Sequence, residues 1–188
     1  MDVSDAIGRR RALRMIDERP ISNEVIHILL TAARLAPSCF NNQPWRYVVV
    51  KDQPALENVK AALSRGNAWA TKAPLIIVIA SRAEDDCEIK QRKYHHFDCG
   101  LSVGQLMLQA TELGLIAHPI AGYSPKNVSA ALGIPEDYLV INLIICGYPG
   151  DDDAMLSDAQ REKENSRRER KPLEENFFQN EWGKPIEL

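Results

Sequence analysis

Apolar and polar positions alternate along this chain in two rhythms. Val25, Ile26, Ile28, Leu29, Leu30, Ala33 and Leu35 recur at helical spacing. They predict a helix that opens at Pro20-Ile21-Ser22, with Ser22 as its N-cap. Pro37 disfavours helix at Ala36, so the helix stops there. Tyr47-Val48-Val49-Val50 reads as a buried strand, and the β-branched run Leu75 to Ala80 as a central one. Residues 55–64 read as helix, with Leu56, Val59 and Leu63 on one face. The longest helical pattern runs from Asp98 to Leu113, and its apolar residues spread around most of the helix. That predicts burial on nearly all sides, inside the domain or between subunits. Gly100 and Gly104, four apart, would let a neighbour pack closely. A short strand opening into a loop follows up to Tyr123, then a short helix from Ser124-Pro125 to Leu132, ended by Gly133. Tyr138 to Cys146 reads as another buried strand, and Ser4 as the cap of a short first helix running toward Arg9.

The 188 residues are 45% hydrophobic and 26% charged, which fits one globular domain. A net charge of −3 argues against a surface that attracts nucleic acid as a whole. No stretch has the apolar length of a membrane span, and Met1 to Asp5 lacks a secretory pattern, so a cytoplasmic protein is expected. The four cysteines, Cys39, Cys87, Cys99 and Cys146, lie far apart and form no Cys-x-x-Cys pair. Reduced thiols and no metal site are the expectation. His95 and His96 are adjacent, cannot share one helix face and read as surface residues or as the border of a pocket.

Three features carry candidate chemistry. Arg9-Arg10-Arg11-Ala12-Leu13-Arg14 holds four arginines, which suit either a phosphate or a solvated helix end. The loop Ala36-Pro37-Ser38-Cys39-Phe40-Asn41-Asn42-Gln43-Pro44-Trp45 is rich in groups that donate and accept hydrogen bonds. It suits the edge of a flat heteroaromatic ring, or a turn whose amides satisfy the backbone. Gly122 either lets backbone approach a ligand or is a plain turn glycine. No dinucleotide fingerprint, phosphate loop or nucleophile elbow occurs, and no carboxylate pair stands out as acid and base. An enzyme built this way would take its hard chemistry from a cofactor.

In order along the chain, the motifs resemble the FMN-dependent nitroreductase family. The resemblance rests on Arg10-Arg11-Ala12-Leu13-Arg14, Ala36-Pro37-Ser38 with Asn41 and Gln43-Pro44-Trp45, and Gly66-Asn67 with Trp69 and Ala73-Pro74. Glu112 to Leu115, Gly122-Tyr123 and Arg170 to Glu175 continue it. It implies an α+β fold with a mixed central sheet flanked by helices, in an intertwined homodimer binding FMN at its interface. Residues 1–188 would form one FMN-binding domain, with 172–188 a C-terminal tail that docks on the partner subunit through Phe177, Phe178, Trp182 and Ile186.

By the same resemblance, Arg10, Arg11, Ala12, Arg14, Arg168 and Arg170 would hold the phosphate, the ribityl chain or the electron-rich flavin edge. Pro37, Ser38, Cys39 and Asn41 would come from the other subunit. Asn67 would meet the pyrimidine side, and Pro119, Ile120, Ala121 and Gly122 would lie beside the ring. The Gly122 backbone would approach flavin N5, and no side chain would act as nucleophile. Arg168, with Lys72 second, would stabilise the reduced ring's negative charge. NADH or NADPH would supply electrons for nitroaromatics, quinones or similar acceptors in ping-pong fashion. The alternatives are reductive dehalogenation, enone reduction or flavin breakdown on the same scaffold, or a non-catalytic flavin-binding protein. Ala12, Cys39 and Ala121 depart from the residues usual in the family.

Overall fold

The computed structural model describes residues 1–187, in two compact units: Met1–Leu156, and a second from Ser157 onward. The first unit is built on a five-stranded sheet whose central strand is β7 (Leu139–Pro149). β7 pairs with β3 (Leu75–Ser81), with β6 (Ile116–Ile120) and, at Tyr148 and Pro149, with β1 (Ile16–Asp17). β2 (Arg46–Val50) adds to the free side of β3. Every pairing in this sheet is antiparallel. The mixed sheet implied by the resemblance is therefore not seen among the described residues: β3 and β6, which run in the same direction, are separated by β7 running opposite to both. A separate two-residue hairpin, β4 (Glu88–Ile89) and β5 (Arg92–Lys93), lies within the polar segment 82–96.

Strand β3 shows why its sequence reads as one apolar run. Ile76 and Val78 point to one core, Leu75, Ile77 and Ile79 to another, and the strand is buried throughout. Side chains alternate across a strand, so both faces must be covered. One face is closed by α3 (Ala55–Lys60), by α5 (Pro125–Leu132) and by Trp69 from a 3₁₀ segment at Arg65–Lys72. The other is closed by α2 (Asn23–Arg34) through Ile26, Leu29 and Ala33, and by α4 (Tyr94–Glu112) through Cys99, Val103, Leu106 and Ala110. A polar tie links α4 to both neighbours. Ser102 Oγ donates to the Ala33 carbonyl at 2.8 Å and lies 2.6 Å from the Tyr47 hydroxyl. Burial pushes the Tyr47 phenol up to about 12, so it stays neutral in this tie.

The caps explain most boundaries. Ser22 Oγ accepts from Val25 N–H, and Ser124 Oγ from Asn127 N–H with Pro125 at the first turn. Gly133 ends α5 in the left-handed conformation expected of it. The first helix, α1 (Val3–Arg9), is capped by Asp2 rather than Ser4, because the Asp2 carboxylate reaches Asp5 N–H at 2.8 Å. α3 is shorter than the apolar pattern, ending at Lys60 before tight turns at Ala62 and Leu63.

α4 begins four residues before the predicted start, at Tyr94, so His95 lies inside it and is only 4% exposed. His95 is thus not a surface residue. Its Nδ1 lies 3.2 Å from Ser81 Oγ, and its ring stacks on His96 with centroids 4.0 Å apart. Burial, reinforced by His96, holds the His95 imidazole below its usual range and therefore neutral. α4 is not buried all round within one chain: Leu101, Met107 and Leu108 are only partly covered. A Cβ added at Gly100 or Gly104 would meet nothing within 4 Å. The close neighbour those glycines admit is not in the first unit's own packing.

The second unit contains α6 (Asp158–Asn165), opened by a capping box at Ser157 and Gln160, and α7 (Leu173–Asn176). Near its end Phe178 pairs with Pro185, and the Phe178 and Trp182 rings lie 5.1 Å apart.

Candidate cofactor site

Three of the sequence-predicted segments meet through one chain of contacts. At the end of β6, Gly122 O accepts from Asn67 Nδ2 at 2.9 Å and from Ser64 N–H at 3.0 Å. Asn67 Oδ1 accepts from Trp69 Nε1 at 3.3 Å. The Trp69 ring packs on His118 with centroids 4.8 Å apart, and His118 Nδ1 lies 2.9 Å from the Leu13 carbonyl. A carbonyl only accepts, so His118 must carry its proton on Nδ1. Arg10 to Arg14, Asn67 and Pro119 to Gly122 are thus coupled through a buried tryptophan and a largely buried histidine. Neither residue stands among the candidate site residues read from the sequence. The signal for His118 was a polar residue inside the apolar run of β6.

This arrangement crowds Gly122, and a side chain there would have to displace the Asn67 amide and the Ser64 hydroxyl. A Cβ on Gly122 would lie 2.5 Å from both Asn67 Nδ2 and Ser64 Oγ. Ordinary side chains never come that close, so the backbone here is drawn tight against Asn67. The Asn67 amide has spent one donor and one acceptor site and keeps one of each. Arg10, Arg11 and Arg14 flank Leu13 on an extended, partly exposed segment before β1. A flat ring that offers alternating donors and acceptors, joined to a phosphate, fits this donor set. Lys72 forms an ion pair with Asp152 that holds the Asp152 carboxyl below its usual range. Its charge is already engaged.

The loop Pro37 to Asn41 is built differently. Phe40, Asn41 and Gln43 all adopt positive φ (48°, 59° and 50°), a costly conformation for three non-glycine residues. Specific bonds hold it: Ser38 Oγ accepts from Gln43 N–H at 2.9 Å, and Cys39 N–H donates to Asp98 Oδ2 at 2.7 Å. Cys39 is bonded to Cys87 in a disulfide, which overturns the expectation that all four thiols are reduced. That expectation rested on sequence spacing, and the fold closes a separation of 48 residues. Cys99 and Cys146 remain free thiols, buried and pushed up to about 11 and about 12 by desolvation. Burial and the neighbouring Asp86 carboxylate raise Asp98, against the Cys39 amide that donates to it. Pro37, Ser38 and Cys39 line a shallow cavity of about 250 Å³ with Tyr94, Phe97, Asp98 and Leu101. Arg168 and Arg170 belong to the second unit, where Arg170 Nη1 donates to the Glu169 carbonyl at 2.7 Å.

Residues 7–148 match the Nitroreductase family. A protein of Archaeoglobus fulgidus, whose name gives it as a candidate NADH dehydrogenase/NAD(P)H nitroreductase, is 32% identical over 152 residues, covering 78% of this chain and 84% of its own. A solved structure described as an oxidoreductase containing FMN superposes with a TM-score of 0.85 at 28% identity, covering 98% of this chain and 94% of that one. A candidate nitroreductase from Desulfovibrio desulfuricans, solved in complex with FMN, gives a TM-score of 0.79 at 25% identity over 97% of this chain and 98% of its own.

Proposed function

The chain belongs to the nitroreductase family, and on that premise we propose that it is an FMN-dependent NAD(P)H oxidoreductase reducing nitroaromatics, quinones or similar small acceptors. The observation that carries the reading is the tight Asn67–Gly122 contact, joined through Trp69 and His118 to the arginine segment. The chemistry that FMN supplies when bound is two-electron transfer from NAD(P)H to an acceptor. This chain's residues bind and orient. Arg10, Arg11 and Arg14 neutralise the phosphate with forked hydrogen bonds. Asn67 offers its remaining donor and acceptor to the ring edge. At Gly122 the Pro119 to Gly122 segment would present backbone with no side chain to the ring. For Arg168 and Arg170, the family resemblance alone implies a role in offsetting the cofactor's negative charge.

A homodimer is part of the proposal. A groove of about 700 Å³ between α1, α2 and α4 is lined by Val3, Ile28, Leu35 and Leu108. Val3 and Leu35 are about 70% exposed on the single chain (70% and 69%), which is unfavourable unless a second copy covers them. Pro37 to Asn41 would then serve the partner's cofactor, and the aromatic tail from 172 onward would dock on the partner. No described helix is long and apolar enough to cross a membrane, and a cytoplasmic setting completes the reading.

Initial-rate kinetics of the FMN-loaded protein test it. Parallel double-reciprocal lines with NADH or NADPH against a quinone or nitroaromatic are expected of one shared site. Intersecting lines, or no turnover of any acceptor, would count against it. Reductive dehalogenation remains the second reading, and release of halide from a haloaromatic in place of nitro or quinone reduction would favour it.

A further inference from the structure

The Cys39–Cys87 disulfide sits in surroundings that a structural crosslink does not need. The sulfur atoms and a carboxylate oxygen of Asp86 all lie within 4.8 Å of one another, and all three residues are partly exposed. Asp86 Oδ1 accepts from Asn42 Nδ2 at 3.2 Å, and the same amide approaches Cys87 Sγ at 3.6 Å. Asp86 Oδ2 is buried with no hydrogen-bond partner. Neither Asp86 nor Asp98 forms an ion pair with Lys or Arg among the described residues. Two sulfurs and two mutually interacting carboxylates are therefore gathered with no lysine or arginine of the described residues in ion-pair contact, and a buried acceptor of this kind calls for an explanation.

The backbone at both cysteines is also held by hydrogen bonds to α4. Cys39 N–H is held by Asp98 of α4 at 2.7 Å, and the Cys87 carbonyl accepts from Tyr94 N–H, at the start of the same helix, at 3.1 Å. The Cα atoms are 6.1 Å apart. The sulfurs of a tetrahedral zinc site with bonds of about 2.3 Å lie about 3.8 Å apart, a separation compatible with this Cα spacing.

We propose that the reduced pair Cys39 and Cys87, with Asp86, is a binding site for one thiophilic divalent cation of the zinc class, and that the disulfide is the metal-free, oxidised form of the same site. A dithiol or phosphine reductant opens the bridge: the sulfur–sulfur bond breaks, the reductant is oxidised, and two thiols form. Each thiol then releases its proton to solvent on binding the cation, giving two thiolate ligands, and Asp86 supplies a carboxylate oxygen. A water completes four-fold coordination. Asn42 and Asp98 are positioning residues: the first orients Asp86, the second fixes Cys39. The usual spacing signals for zinc are absent because the ligands come from two loops joined only by the fold. Cys39 also lies in the loop assigned above to the partner's cofactor, so the test below reads metal binding and not turnover.

Cobalt(II) tests it. The FMN-loaded protein is reduced with a phosphine under nitrogen, freed of reductant and titrated with cobalt(II). One equivalent per chain should bind, with ligand-field bands at longer wavelength than the flavin and thiolate-to-cobalt charge transfer. Zinc should displace it. The unreduced protein should show neither band. Asp86→Asn should weaken binding by at least the roughly 10–100-fold that loss of an outer-shell partner costs, and Cys39→Ser with Cys87→Ser should abolish the charge transfer. Should the variants fold poorly, the wild-type chain still decides. Zinc should protect Cys39 and Cys87 of the reduced native protein from alkylation, as located by peptide mass. Reduced protein that shows no cobalt bands, charge transfer that persists when both Cys39 and Cys87 are serine, or alkylation unaffected by zinc would each overturn the proposal.

Discussion

Asn67 and Gly122, 55 residues apart in sequence, are in hydrogen-bonded contact at 2.9 Å, and the contact leaves no room for a Cβ. Gly122→Ala should therefore weaken FMN binding and destabilise the fold by about 1–3 kcal/mol, the usual cost of overpacking. Because the clash is partly with the Asn67 amide, the same substitution should cost less in an Asn67→Ala background. A double-mutant cycle on thermal stability and FMN affinity reads this coupling. Strict additivity would mean the two residues do not constrain each other.

His118 connects the arginine segment to the core. Its Nδ1–H bond to the Leu13 carbonyl and its packing on Trp69 are both lost in His118→Ala. The expected cost is about 1–3 kcal/mol of stability, with weaker FMN binding because Arg10 to Arg14 lose their anchor. His118→Asn, which can place an amide N–H near Nδ1, should recover part of both. Equal FMN affinity in all three proteins would separate His118 from the cofactor site.

Asp85 anchors the segment after β3. It accepts from Arg82 Nε at 2.7 Å, and from Arg46 Nη2 and the Tyr138 hydroxyl, both at 2.9 Å. Burial alone would raise this carboxyl, but those hydrogen bonds and the two guanidinium charges hold it below its usual range. A carboxylate with a depressed folded pKa contributes stability above its unfolded value of about 3.9 and loses it as pH falls through the folded value. Asp85→Asn should thus cost about 1–2 kcal/mol at neutral pH, the half-exposed arginines limiting the effect. The difference from wild type should shrink in acid. Chemical denaturation at several pH values checks it, and a difference independent of pH would contradict the ion-pair account.

Ile28 lies in the apolar groove between α1, α2 and α4 and is 40% exposed on the single chain. Ile28→Glu would place a charge in any interface formed there. Sedimentation should show a dimer for the wild-type chain and a shift toward monomer for the variant. A wild-type monomer at micromolar concentration would remove the basis for assigning loop 37–41 to a partner's cofactor.

Local signals reached far into this fold. The Ser22 and Ser124 caps, Gly133 and the doubly buried β3 could be read because each depends on residues near in sequence. Three features could not be read this way. His95 is buried because α4 extends back to Tyr94, where no cap residue announces it. The Cys39–Cys87 bond depends on two loops meeting at the start of α4. His118 and Trp69 support the candidate site from within the core, where an apolar run conceals a polar role. The roles of Arg168 and Arg170 rest on the resemblance alone.

The central claim is that this chain binds FMN and passes electrons through it. The most direct test is an anaerobic titration of the FMN-loaded protein with NADH and, separately, NADPH, following the oxidised flavin absorption. The account predicts stoichiometric bleaching by at least one nucleotide and full recovery of colour on adding a quinone or nitroaromatic. A protein that takes up no FMN, or holds FMN that neither nucleotide bleaches, would contradict it.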